Sequence, residues 1–134
     1  MGKPAPSGYG IYTAMILRSS LQPELDCELI AFHGELDAVA APDLRLRIDE
    51  VLTAPHGALL IDLACCTFID SLGVAALVEG AKVMLERDRA VAIATAKPQT
   101  RRILELTGVD SLLPLCWTRD EAIARLGDEQ AGAD

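Results

Sequence analysis

The chain has 134 residues, 51% of them hydrophobic, which suffices for one ordinary core and is too apolar for a disordered chain. Its formal net charge of −8, with a pI near 4.7, repels phosphate backbones and anionic lipid heads, so neither nucleic acid nor an inner-leaflet membrane is expected as a partner. No apolar run approaches the roughly 20 residues a membrane-spanning helix needs.

Residues 1–10 carry Gly2, Pro4, Pro6, Gly8 and Gly10 and read as a flexible terminus. They lack a signal peptide's apolar stretch, and Pro6 stands where a myristoylation motif needs Ser or Thr, so a cytoplasmic location is expected. Ile11 to Leu17 is a first strand, followed by a turn around Pro23. Cys27 to Phe32 is a second strand closed by His33-Gly34, and the short connection predicts an antiparallel hairpin. Gly34-Glu35-Leu36-Asp37 then leads to a helix from Pro42 to Thr53, with proline at its first turn. Leu44, Ile48, Val51 and Leu52 form one core-facing stripe on it, and Pro55-His56-Gly57 stops it.

Ala58 to Asp62 reads as a strand buried on both faces, with Asp62 at its end facing water. Ser71 to Arg87 is the longest helix, its apolar side predicted at Leu72, Ala76, Val83 and Met84. A strand over Ala90–Thr95, a helix over Pro98–Leu106 ended by Gly108, and a short strand over Leu112–Cys116 follow. Arg101-Arg102, the nearest thing to a basic patch, reads as a solvated helix face. Thr118 and Glu121 form a capping box that opens a last helix through Leu126. Residues 127–134, small and acidic, read as a second flexible terminus. The order is β-β-α-β-α-β-α-β-α. It predicts a single α/β domain over residues 11–126, with a mixed sheet of four to five strands and about four helices.

The four cysteines, Cys27, Cys65, Cys66 and Cys116, form no C-x-x-C pair and read as small buried hydrophobes, so neither a disulfide nor a metal is expected. In a parallel sheet, functional residues gather beyond the carboxyl ends of the strands. Two polar groups fall there: Gly34 to Asp37, and Phe68-Ile69-Asp70-Ser71-Leu72-Gly73. If their strands are neighbours, Asp37, Asp70 and Ser71 share one rim. Ser71 then sits at a helix N-terminus, where free N–H groups and the dipole favour an anion. The plain alternative is that these residues only cap helices, a role worth about 1 kcal/mol.

Together, G-E-L-D at 34–37 and T-F-I-D-S-L-G-V at 67–74 resemble the STAS domain of bacterial anti-sigma-factor antagonists. The resemblance covers about residues 11–126, including the order of elements. It implies a domain that binds an anti-sigma factor, itself a serine kinase with a histidine-kinase-like ATPase fold, and so releases a sigma factor for transcription. Ser71 is implied as the phosphoacceptor whose modification ends binding, with a serine phosphatase restoring it. Asp70, Asp37 and Gly73 are carried over as the motif's neighbour, the acidic residue across the rim, and the glycine where a side chain would crowd the helix start. Leu72 stands where many relatives have Ser or Thr; it alters the surface the kinase reads and leaves Ser71 as the only local hydroxyl. A monomer without a cofactor is expected. The same domain type leaves open a subunit of a lipid-transport or stress-sensing complex.

Catalysis is disfavoured. Asp70-Ser71-Leu72 lacks the glycine of a G-D-S-L hydrolase, no G-x-S-x-G elbow or phosphate-binding glycine loop occurs, and His33 and His56 are the only histidines.

Overall fold

The computed structural model describes residues 11–17, 20, 22 and 24–132. The readings made for residues 1–10, 18–19, Pro23 and 133–134 lie outside it. The described elements are β1 (Ile11–Leu17), β2 (Cys27–Leu36), α1 (Ala41–Val51), β3 (Ala58–Ile69), α2 (Ser71–Glu86), β4 (Val91–Ala94), α3 (Pro98–Leu106), α4 (Val109–Leu112), β5 (Leu115–Cys116) and α5 (Arg119–Gly132). The five strands form one sheet in the order β1-β2-β3-β4-β5. β1 runs antiparallel to β2, as the hairpin reading expected, and every other pair is parallel. The fold is therefore the mixed α/β domain predicted, with one short helix more than expected: α4 precedes the last strand and overlaps the segment read as that strand only at Leu112, leaving β5 as Leu115–Cys116.

Two cores flank the sheet. On one face Ile30, Phe32, Leu59, Ile61 and Ile93 pack against Leu44 and Ile48 of α1, Leu77 and Met84 of α2, and Leu104 of α3. On the other, Leu29, Leu60 and Ala92 meet Ala122, Ile123 and Leu126 of α5. Alternation along β2, β3 and β4 sends successive side chains to opposite cores, which is why these strands read as unbroken apolar runs.

Several boundaries differ from the sequence reading. β2 does not end at His33-Gly34. Gly34 takes a φ of 92°, and the strand continues through Leu36 across two register irregularities. β3 runs to Ile69 instead of stopping at Asp62, because its second half keeps pairing with β2. Asp62 is consequently buried inside the sheet, where its carboxylate accepts from the Ala64 amide (2.8 Å) and from Arg119 Nε of α5 (2.6 Å). α5 runs on past Leu126 to Gly132.

On α2 the buried side is Gly73, Val74, Ala76, Leu77, Gly80, Ala81 and Met84; Leu72, expected on it, is 51% exposed, and Val83 is only partly buried. Arg101 is no solvated residue. It is buried, donates to the Thr95, Cys116 and Leu115 carbonyls, and lies 3.6 Å from the centre of the Trp117 ring, so it ties α3 to the ends of β4 and β5. The predicted capping box is half made: Thr118 Oγ1 accepts from the Glu121 amide, while Glu121 reaches back to the Trp117 amide one residue too early. Of the cysteines, Cys27, Cys66 and Cys116 are buried, but Cys65 is exposed.

Candidate functional site

The site forms because β2 and β3 outrun their neighbours. β4 pairs with β3 only from Leu59 to Asp62, while the β2–β3 pairing continues to Leu36 opposite Ile69. The two polar motifs therefore emerge side by side, and the Asp70 amide donates to the Leu36 carbonyl (3.2 Å). Asp37 and Asp70 follow paired residues on adjacent parallel strands, so the structure brings Asp37, Asp70 and Ser71 onto one rim.

Both aspartates turn their chains into helices. Asp37 Oδ1 accepts from the Val39 and Ala40 amides (both 3.1 Å), and its carbonyl accepts from the Ala41 amide (2.8 Å), which sets the first turn toward α1. Asp70 is the N-cap of α2, in an extended conformation. Its Oδ1 accepts from the Leu72 amide (3.0 Å) and the Gly73 amide (2.9 Å). Ser71 is thus the first residue inside the helix and not its cap. It is exposed, and among the described residues its hydroxyl has no hydrogen-bond partner.

Gly73 is fixed by the neighbouring motif. A Cβ there would overlap the Leu36 carbonyl oxygen and lie 2.9 Å from Leu36 Cγ. The glycine lets the start of α2 lie directly on the end of β2, which locks the two motifs together.

Burial keeps the chemistry around this rim quiet. Cys66, buried three residues before Ile69, has its thiol pushed up by desolvation and donates to the Phe68 carbonyl (3.3 Å). Lys97 reaches the same part of β3 and donates its ammonium to the Cys66 carbonyl (3.0 Å). Among the described residues no histidine hydrogen-bonds Ser71, and His56 pairs instead with Asp26 (3.0 Å). No group of three or more His, Cys, Asp or Glu among them could hold a metal ion.

Of the apolar part of the rim, the sequence pointed to Leu72 but not to Val39 or Phe68. Val39 is 56% exposed, Phe68 50% and Leu72 51%. Val39 is hidden in an Ala-Val-Ala-Ala run, and Phe68 falls in a segment read for its polar residues. Thr67, also exposed, is a second local hydroxyl, so Ser71 is not alone.

The chain is similar to an anti-sigma factor antagonist from Mycobacterium paratuberculosis, with 28% identity over 87% of this chain and 94% of that one and a TM-score of 0.70. The Bacillus cell fate determinant SpoIIAA in its phosphorylated form shares 20% identity over 86% of this chain and 98% of its own, at a TM-score of 0.62. A sulfate transporter family protein from Wolinella succinogenes shares the fold at 16% identity, covering 84% of this chain and 96% of that one, with a TM-score of 0.69. A family model for the STAS domain matches residues 22–122, a span holding both motifs, the whole parallel part of the sheet and the start of α5, and the chain belongs to the STAS domain family.

Proposed function

We propose that this protein is an anti-sigma factor antagonist that binds an anti-sigma factor serine kinase through the rim around Ser71, and that phosphorylation of Ser71 ends the complex. The observation that carries the reading is the presentation of Ser71. Asp70 caps α2, so the Ser71 hydroxyl stands exposed and unengaged at the first helical position. A phosphate added there meets the positive end of the α2 dipole, worth roughly 0.3–1 kcal/mol, and disturbs no buried contact, so the fold tolerates both states. The likeness to the mycobacterial antagonist supports the same role. The protein acts by binding, without catalysis or a cofactor, as a cytoplasmic monomer. A serine phosphatase resets it.

The test combines the purified protein, a candidate anti-sigma kinase of the ATPase fold, and ATP. Mass spectrometry should find phosphate on Ser71, and calorimetry should show binding lost on phosphorylation. Ser71→Ala should bind with or without ATP. Ser71→Asp should bind weakly but measurably, because it supplies one charge where phosphate supplies nearly two. Phosphate on Thr67 alone, or a transport ATPase as the partner in place of a kinase, would overturn the assignment.

A further inference from the structure

Six large apolar side chains are exposed among the described residues, and three of them, Val39, Phe68 and Leu72, belong to the segments that meet at Ser71. Phe68 lies two residues before Asp70 on β3, Leu72 directly follows Ser71, and Val39 sits in the turn held by Asp37. Scattered single apolar residues need no explanation; a cluster at a strand-end rim marks an interaction surface.

Carboxylates surround this cluster. Glu35 is in register with Phe68, Asp43 is exposed in the first turn of α1, and Asp37 and Asp70 direct one oxygen each to backbone amides. Of the cations nearby, Arg45 is paired with Glu79 (2.8 Å), while Lys97, hydrogen-bonded to the Cys66 carbonyl, keeps its charge and is outnumbered by the four carboxylates. The surface is an apolar centre in an acidic ring.

Resting on the function proposed above, we infer that the partner presents an apolar cleft bordered by Lys or Arg, and that phosphate at Ser71 blocks docking by desolvation and not by charge repulsion. A basic border would attract an added anion from a distance. What it cannot offset is a doubly charged, strongly hydrated group forced into the apolar centre, where a buried charge without a close partner is very costly. Leu72 makes this chain's patch more apolar than a Ser or Thr would, so it sets partner choice as well as affinity.

The two mechanisms predict opposite salt responses, because salt screens exposed charges and leaves a desolvation cost in place. The experiment uses the kinase that passes the preceding test and measures affinity at 50 and 300 mM NaCl, concentrations chosen to bracket a Debye length of about 10 Å. Phe68→Ser and Leu72→Ser should each weaken binding at least about tenfold while melting like wild type. Glu35→Lys and Asp43→Lys should each weaken it a few-fold, and wild-type binding should fall as salt rises. Ser71→Glu should bind poorly at both salts. Recovery of Ser71→Glu binding at high salt would overturn the desolvation mechanism, and Phe68→Ser or Leu72→Ser binding within about twofold of wild type would overturn the patch. Concentration-dependent dimerisation of wild type, lost in Phe68→Ser, would make the occupant a second copy and also overturn it. If the wild-type protein binds no anti-sigma kinase, the function itself fails and this inference falls with it.

Discussion

Asp70 and Ser71 are neighbours with opposite duties. Asp70 satisfies two amides that the start of α2 would otherwise leave unpaired, so Asp70→Ala should lower stability by about 0.5–2 kcal/mol. Ser71 holds nothing, and Ser71→Ala should stay within about 0.5 kcal/mol of wild type. Urea denaturation of the two variants separates a structural residue from a presented one; equal losses would mean that Ser71 shares the capping role. Gly73 is the strictest position of the three, since its missing side chain leaves room for the Leu36 carbonyl. Gly73→Ala should cost roughly 1–3 kcal/mol through forced separation of β2 and α2. A thermal midpoint equal to wild type would show that the junction can relax.

The helices pack with a second close approach, between α1 and α2. A Cβ on Gly80 would collide with Ile48 Cδ1. Gly80→Ala gains helix propensity, and only the far end of the Ile48 side chain must give way, so its net loss should stay near or below about 1 kcal/mol, less than at Gly73, where the obstacle is backbone. Ile48→Val removes the colliding methyl at a cost of its own of about 0.5–1.5 kcal/mol. The double variant should therefore be more stable than the two single losses added together, and strict additivity would place the contact elsewhere. The loop after α1 depends on Arg89, which is buried and donates to the Gly57, Ala54, His56 and Val51 carbonyls at 2.8–3.4 Å. These include carbonyls at the helix end that lack an intrahelical partner. Arg89→Ala should cost more than about 2 kcal/mol by leaving several buried carbonyls unpaired, read as a drop in the urea midpoint. Nothing in the local sequence Arg87-Asp88-Arg89 distinguishes this buried arginine from its exposed neighbour, because the carbonyls it serves are more than 30 residues away. Local patterns did specify elements with a strong period or a marked start: the Leu44, Ile48, Val51 stripe of α1, and α3 over Pro98–Leu106. They misplaced the ends of β2 and β3, because each strand is prolonged by the other and a single-strand pattern cannot register that mutual pairing. The rim was legible because Asp37 and Asp70 are local turn and cap residues that lead each strand into a helix, whereas the exposure of Phe68 depends on where β4 stops.

At the scale of the whole molecule, the sheet lies between two apolar cores, and three of the four cysteines are built into them. All four are free thiols, so thermal stability should be indifferent to reductant; a fall in midpoint under reducing conditions would reveal a disulfide. Their burial does impose a pH limit. Cys27 is fully buried against α5, and desolvation pushes its thiol from the usual 9.0 up to about 12; burial raises Cys66 and Cys116 as well. In the unfolded chain these thiols ionise near their ordinary value, while the folded chain keeps them protonated. Between about pH 9 and pH 12 the native state therefore binds more protons than the unfolded state, and stability falls as pH rises. The contribution of Cys27 is intact below pH 9 and approaches a loss of about 1.4 kcal/mol for each pH unit above it. Other groups titrate in the same range, so the decisive comparison is between wild type and Cys27→Ala, which lacks the thiol. The variant should be less stable at pH 8 because of the cavity it leaves, yet its stability should decline less steeply between pH 9 and 11 in urea titrations. Parallel declines would mean that the Cys27 thiol ionises equally easily in both states, and that the core beneath α5 is wetter than its packing indicates.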